Sequence, residues 1–309
     1  MPIPVTASVD AAWFSPLISK AIESGYDREK HFAGMVTQKS WKEVSSSYKS
    51  GVKTIDYIPL REMREKSELG SIEFDRVQAG FLTESEYTEF ALATAVSRKA
   101  RSDESHGIIK AANASLGNSY SLLQNKQVAA IYNFGSTTTI MPGQDGAALF
   151  TTSHPHPSPG VTWTRTNKTA TNTALSYEAL KEALTIGRRF VNLNGDPASM
   201  WKPGSKIILW VGSTIELDAL KLIKTVQEPG GDKNDINVLS QYSIQVRCNP
   251  YLNGDFCALL PEQVPLLLVI RDGLEAKAFI DDYNDALVSR IYARHGFHPQ
   301  EIFGVGIHD

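Results

Sequence analysis

The sequence predicts an α+β protein whose strands pair mainly antiparallel. Apolar residues recur at steps of three and four in some segments and alternate, or run continuously over strand length, in others. The two kinds of segment follow one another without a regular strand–helix–strand series, which argues against a doubly wound sheet. A third observation is a charge-rich extended region in the first third of the chain, followed by one very long helical stripe.

Taken in order, Trp13, Phe14, Leu17, Ile18, Ala21 and Ile22 have helical spacing, so a short amphipathic helix is expected within 13–34. Ser45–Tyr57 reads as a strand ended by Pro59, and Ile72–Val77 as a second strand, with a turn at Glu68-Leu69-Gly70. Between them, Arg61, Glu62, Arg64, Glu65, Lys66, Glu68, Glu73, Asp75 and Arg76 carry charges of both signs, with Met63, Leu69, Ile72 and Phe74 as the apolar anchors. The expected product is a long polar hairpin with too little apolar surface to fold alone. Such a charge run is either a solvated face or an edge that avoids indiscriminate pairing while making ion pairs with a neighbour, and the second reading is preferred.

Tyr87–Ser97, rich in Thr, Val and Phe, reads as a third strand, with Asp103 as the N-cap of the long helix. Ile109, Ala112, Leu116, Tyr120, Leu123, Ala130 and Phe134 form its stripe, broken by Gln127; the span 104–134 implies about 45 Å. Residues 135–174 read as loop. Ser176 caps a helix ending at Asn194-Gly195, and Lys206–Val211 is a buried strand. Ser213-x-x-Glu216 has the form of a capping box opening a helix to about Val226. Tyr242–Cys248 and Phe256–Leu260 are expected to pair as a hairpin; Leu266–Ile270 and Ala286–Arg294 are further strands.

Composition bounds the function. With 309 residues, 42% hydrophobic, 21% charged and a net charge of −3, the chain is an ordinary folded protein without the basic face that phosphate-dominated nucleic-acid binding requires. Cys248 and Cys257 lack metal or redox spacing and read as small apolar residues in a reducing compartment. No apolar run is long enough to span a membrane, and the start MPIPVTASVDAAWF has no secretory pattern, so synthesis in a cytoplasm is expected. His154 and His156, two apart and near Asp145, could begin a metal site, but a third ligand at matching spacing is missing and a solvated loop is the preferred reading. His295 and His298 read as surface or packing residues. No nucleophile elbow or phosphate-binding glycine motif occurs, and the turn at Val211-Gly212-Ser213-Thr214 is explained by capping.

One stretch is more specific. Asp145-Gly146-Ala147-Ala148-Leu149-Phe150-Thr151-Thr152-Ser153-His154-Pro155 resembles the DG-x-x-LF-x-x-x-HP segment of Mu-like major head subunits of tailed phages. Leu175-Ser176 to Leu180 resembles the LS-x-x-x-L helix start that follows it, and Pro203–Leu220 is similar to a further segment of that family, with Val211-Gly212 where Val-Pro is common. Arg290–Gly304 suits the family's last strand, so the resemblance extends over roughly 40–309.

The resemblance implies a Hong Kong 97-like capsid fold. Its parts would be an N-terminal arm (1–49), an E-loop hairpin (50–78), a P-domain with a spine helix (79–175, helix 104–134), an A-domain (176–280) and a returning P-domain strand and tail (281–309). It implies no enzyme, no catalytic residue, no cofactor and no metal. The role implied is a major capsid subunit in the virion, assembled in the host cytoplasm, with the nine hairpin charges named above as assembly contacts. Its partners would be further copies in hexamers and pentamers, with scaffold, portal or decoration proteins as candidates; it would enclose DNA without sequence-specific binding and without a membrane. The covalent crosslinking known in one branch of the fold has no matching motif here. An encapsulin-like compartment, which shares the fold, and a metal-dependent enzyme using His154 and His156 are the alternatives.

Overall fold

The structure, a computed structural model, describes residues 5–7, 15–27, 30–44, 47–66, 68, 70–72, 74–103, 106–158, 160–171, 174–201, 204–227 and 236–307. In chain order these form β1 (Val5–Ala7), α1 (Ser15–Tyr26), β2 (Thr37–Ser40), β3 (Gly51–Ile58), β4 (Gln78–Glu86), β5 (Thr88–Val96), α2 (Arg98–Ser102) and α3 (His106–Asn133). There follow α4 (Tyr177–Arg189), β6 (Ile207–Val211), α5 (Glu216–Lys224), β7 (Ile244–Cys248), β8 (Cys257–Pro261), β9 (Leu266–Asp281), β10 (Ala286–Pro299) and β11 (Val305–Gly306). The mixture of helices and mainly antiparallel sheets is the α+β class expected. The chain divides into two compact units, one of 1–52, 85–129 and 267–298, the other of 53–84, 130–266 and 299–309.

The first unit is a five-stranded sheet in the order β1-β9-β10-β5, with β2 also on β9. Leu274, Ala276 and Ala278 of β9, Leu287, Ile291 and Ala293 of β10, and Val96 of β5 turn one face inward. Ile18 and Ile22 of α1 and Ile109, Leu116 and Tyr120 of α3 cover it. The two helices cross through glycines: a Cβ on Gly25 would fall on the Ala114 carbonyl, and one on Gly117 on the Ile22 carbonyl, so only hydrogen at both positions allows this approach. Helix α1 therefore packs on its own unit. A smaller cluster of Val44, Val52, Tyr87, Leu267 and Val269 closes the sheet's end.

The second unit centres on a four-stranded sheet in the order β11-β8-β6-β7. β6 (IILWV) is buried at every residue and needs a neighbour on each side. It pairs in parallel with β7 and antiparallel with β8. The expected hairpin between 242–248 and 256–260 is therefore incorrect, because β6 lies between those strands and α5 supplies the crossover that a parallel pair requires. Tyr177, Leu180, Ala183 and Leu184 of α4 and Ala219 and Ile223 of α5 pack into the core with Trp201, Leu209 and Leu259.

Other expectations shift for physical reasons. A first short helix precedes the long one: the Ser97 side chain caps it by accepting from the Ala100 N–H, and Asp103 ends it, while the expected N-cap contact of Asp103 with the long helix lies outside the described residues. The capping box at Ser213 is not formed. Gly212–Ile215 is used in a tight turn closed by Ile215 N–H to Gly212 O, and α5 starts at Glu216 behind Ile215 with no side-chain cap. Ser176 does cap α4, accepting from the Ala179 N–H at 3.1 Å. Helix α3 has 28 residues, about 42 Å, but its stripe drifts. Val128, Ile131 and Tyr132 take over as buried residues, Phe134 is 50% exposed, and Asn113, Ser121, Gln124 and Asn125 are buried. The strand expected at 72–77 is not formed; β4 begins at Gln78. The segments at 266 and 286 extend into strands of 16 and 14 residues joined as a hairpin by 282–285.

Candidate assembly interface

The site suggested by sequence is the excursion between β3 and β4. Gly51 lies against Ser85 and Gly80 against Asp56, so the strands run antiparallel as a two-stranded ribbon, with Lys53 and Glu84 paired across it. Beyond Ile58 the described residues of 59–77 have no regular structure. Their ends are held together by one carboxylate: Asp75 accepts from the backbone N–H groups of Arg61 and Arg76, each at 2.9 Å. Those two bonds, that of Arg61 first, hold the Asp75 carboxyl below its ordinary range.

The base of the ribbon is anchored within its own unit. Asn194 Nδ2 donates to the carbonyls of Pro59 (2.8 Å) and Leu60 (3.0 Å) from a turn that Gly195 makes possible with φ +87°. Gln144 Nε2 donates to Asp56 Oδ2 at 3.1 Å, and Thr83 Oγ1 donates to the Gln144 carbonyl at 3.2 Å. Beside this base lies a cavity of about 400 Å³ lined by Asp56, Tyr57, Gln144, Arg165, Phe190 and Glu301, among others. Burial, with Asp56 nearby, raises the Glu301 carboxyl.

Of the nine charged residues singled out by sequence, Arg61, Glu62, Arg64, Glu65, Lys66, Glu68, Asp75 and Arg76 are all exposed; Glu73 lies outside the described residues. Among the described residues the structure brings Asp75 against the backbone amides of Arg61 and Arg76, with the charges of Arg61 and Arg64 acting on the same carboxylate. Charge patterning understated the apolar content of this surface. Met63 is 98% and Phe74 93% exposed, and Ile55, Tyr57, Leu60, Ile72, Val77 and Leu82 are also open. Such a concentration of exposed large apolar side chains on one extended element marks an interaction surface. Alternating apolar residues at 55, 57 and 82 were the available signal.

The loop that carries the recognisable motif is a buried network, not a solvated turn. His154 is 1% exposed, with Nδ1 2.6 Å from Asp145 Oδ2 and Nε2 2.8 Å from Asn167 Oδ1. Asn167 also accepts from the Thr151 N–H and donates to the Leu149 carbonyl, which fixes its amide orientation. Both ring nitrogens of His154 therefore face acceptors. Burial pushes the Asp145 carboxyl up, but the His154 hydrogen bond and charge, with the Ala147 N–H, outweigh it and hold the group below its ordinary range. His156 accepts from the Ser158 N–H and donates to the Leu193 carbonyl. The expectation of solvated histidines is thus corrected: each ring nitrogen is already engaged, so neither side chain offers a metal a free lone pair. Among the described residues no group of three or more His, Cys, Asp or Glu could hold a metal ion. His295 and His298 are buried, and burial lowers each to about 4.

No family model matches the sequence, and no curated protein matches it. Solved structures do. The bacteriophage PhiM1 mature capsid subunit is 11% identical, with 91% of this chain and 87% of that chain covered at a TM-score of 0.57. The capsid subunit of a native GTA particle is 10% identical, with 91% of both chains covered and a TM-score of 0.57. Mycobacterium phage Patience gives 12% identity, 98% and 91% coverage and a TM-score of 0.55. The chain has the phage capsid fold. At such identities the likeness fixes architecture only, and the Hong Kong 97-like capsid fold accounts for an exposed ribbon, a long helix and mixed sheets in one chain. No helix among the described residues is long and apolar enough to cross a membrane.

Proposed function

We propose that the chain is a major capsid subunit that self-assembles into the icosahedral head of a tailed phage or prophage, with no catalytic role. The capsid fold over nine-tenths of the chain supports this reading, and the observation that carries it is the ribbon with Met63 and Phe74 almost wholly in solvent. Single contacts of this kind are weak, but a closed shell repeats them around every subunit, so avidity makes the assembly durable. The E-loop role falls to residues 50–78 and the spine role to 104–134, between an arm at 1–49 and an A-domain at 176–280. The nine hairpin charges would steer and register neighbours. The chain would work inside the virion, be assembled in the host cytoplasm, and meet scaffold, portal or decoration proteins there.

A Mu-like affiliation rests on the motif 145–155, whose two outer polar residues, Asp145 and His154, form the buried pair described above. A motif of this spacing has a physical purpose, since it closes a loop around one buried hydrogen-bonded pair.

Electron microscopy of the purified protein tests the proposal. Closed shells are expected from the wild type, and a deletion of residues 61–70 is expected to leave a folded subunit that forms none. Normal shells from the deletion would remove the ribbon from the mechanism; a wild type that stays monomeric at high concentration would sink the capsid reading. Shells that package protein instead of nucleic acid would point to a compartment.

A further inference from the structure

The five-stranded sheet of the first unit ends on an undefended strand. β5 pairs with β10 along its whole length, from Thr88 opposite His295 to Val96 opposite Leu287. Among the described residues its main chain makes no backbone bond on the other side. Soluble proteins normally protect such an edge with Lys, Pro, a bulge or a covering segment. TEFALATAV has a single charge, Glu89, and no Pro or Gly. Ala91, Ala93 and Ala95 are exposed and Leu92 is 49% exposed, so neither bulk nor charge bars an incoming strand.

The vacancy has defined ends. At residues 85–87 both flanks of the strand are filled: the Tyr87 N–H donates to Ser50 O at 3.1 Å and Gly51 lies against Ser85, while Gly296 of β10 lies against Glu86. From Thr88 onward the flank opposite β10 is open, and at Ser97 the chain leaves the sheet for α2. We infer that this edge pairs with the same edge of a second copy, antiparallel and centred on Leu92, joining two sheets into one.

The occupant follows from that geometry. The open flank is nine residues long, as is β5 itself. In an antiparallel self-pair, each chain turns away at Ser97, where the row of Ser50 and Gly51 on the other copy begins, so neither obstructs the other. Centring on Leu92 sets Glu89 opposite Ala95, Phe90 opposite Thr94 and Ala91 opposite Ala93, so the one charge never meets its like. A self-complementary contact of this kind closes with two-fold symmetry.

The centre of such a pair brings Leu92 opposite itself, at Cα separations of about 4.5–5.5 Å, within the range of a disulfide. In a Cys248→Ser background, Leu92→Cys is expected to form covalent dimers on mild oxidation, while Lys277→Cys, exposed on β9, is not. A Leu92→Cys protein that stays reduced, or equal crosslinking at both positions, overturns the proposal. Adjacent strand residues point their N–H groups to opposite edges, so Ala91→Pro and Leu92→Pro give a second reading. One is expected to damage the fold by removing a bond to β10; the other is expected to keep native circular dichroism and lose the dimer in sedimentation. If the folded variant sediments as the wild type does, the edge is not the contact. The inference is separable from the capsid reading: dimers without shells support it alone, and shells lacking the Leu92 crosslink refute it alone.

Discussion

Two antiparallel strand pairs of this chain, β3–β4 and β9–β10, begin from similar local material and end in opposite states. In β9 and β10, Leu274, Ala276, Ala278, Leu287, Ile291 and Ala293 all point into a core closed by helices. In the ribbon, Ile55, Tyr57 and Leu82 lie open, and the apolar series continues outward through Leu60, Ile72 and Phe74. Alternation and β-propensity make both into strands. What separates them is whether the same chain supplies a cover. Strand pairing is a local matter; burial is a matter of topology, and among the described residues the ribbon's large apolar side chains are left open.

The largest expected effect that would break this contrast is acid. His295 contacts Tyr120 and Gln127, and His298 contacts Ser85, in surroundings that hold each to about 4. The unfolded chain binds their protons near 6.5, so the stability they confer is complete above that value and lost as pH falls toward 4. Two such groups make the loss several kcal/mol in all. Urea midpoints at pH 7, 5.5 and 4 check it; a flat profile would show that these rings are not closed in as described.

Next comes the buried hydrogen bond behind the motif. Asp145→Ala leaves the buried His154 Nδ1 without its acceptor, at an expected cost of about 3 kcal/mol. The carboxyl is held low, so its contribution exists above the ordinary carboxylate range and disappears as pH falls through the lowered value. Denaturant unfolding of the variant at neutral pH measures it, and a change below about 1 kcal/mol would mean the pair is solvated after all. Gly117→Ala should cost slightly less, about 2–3 kcal/mol, because a backbone carbonyl cannot swing aside as a side chain can. Thermal unfolding of that variant at the wild-type temperature would show the helices are not in contact there.

Much of the packed half was readable in the residues. β6 announces itself because IILWV has no polar side, and α4 because Ser176 precedes a clean stripe. Other features were hidden by mixed cues. Arg271-Asp272-Gly273 interrupts β9 chemically but not structurally, so everything after Ile270 was unread. Gly80 and Glu84 disguise β4. The pairing of β6 with both β7 and β8 depends on which neighbours a doubly buried strand attracts, a tertiary fact without local trace. His154 was misread as solvated because Asn167, which orients it, is remote in sequence and carries no pattern of its own. At the candidate interface both the charges and the apolar anchors Met63 and Phe74 were plain to see, but that these two anchors lie almost wholly open is a tertiary fact with no local trace.

The smallest effect on stability should accompany the largest on assembly. Met63→Asp with Phe74→Asp alters two side chains that touch solvent, so unfolding should move by less than about 0.5 kcal/mol. Shells should nonetheless fail, because those side chains are the buried anchors once a neighbour is present. Salt then separates anchors from charges. At about 1 M salt the screening length is roughly 3 Å, which removes most attraction between Arg61, Arg64 or Lys66 and an acidic partner while leaving apolar burial intact. Shell formation is expected to slow in salt yet reach the same yield, as it should if charge steers encounters and Met63 and Phe74 hold them. A yield that collapses in salt, together with normal shells from the double aspartate variant, would reverse those roles and return the interface to its charges.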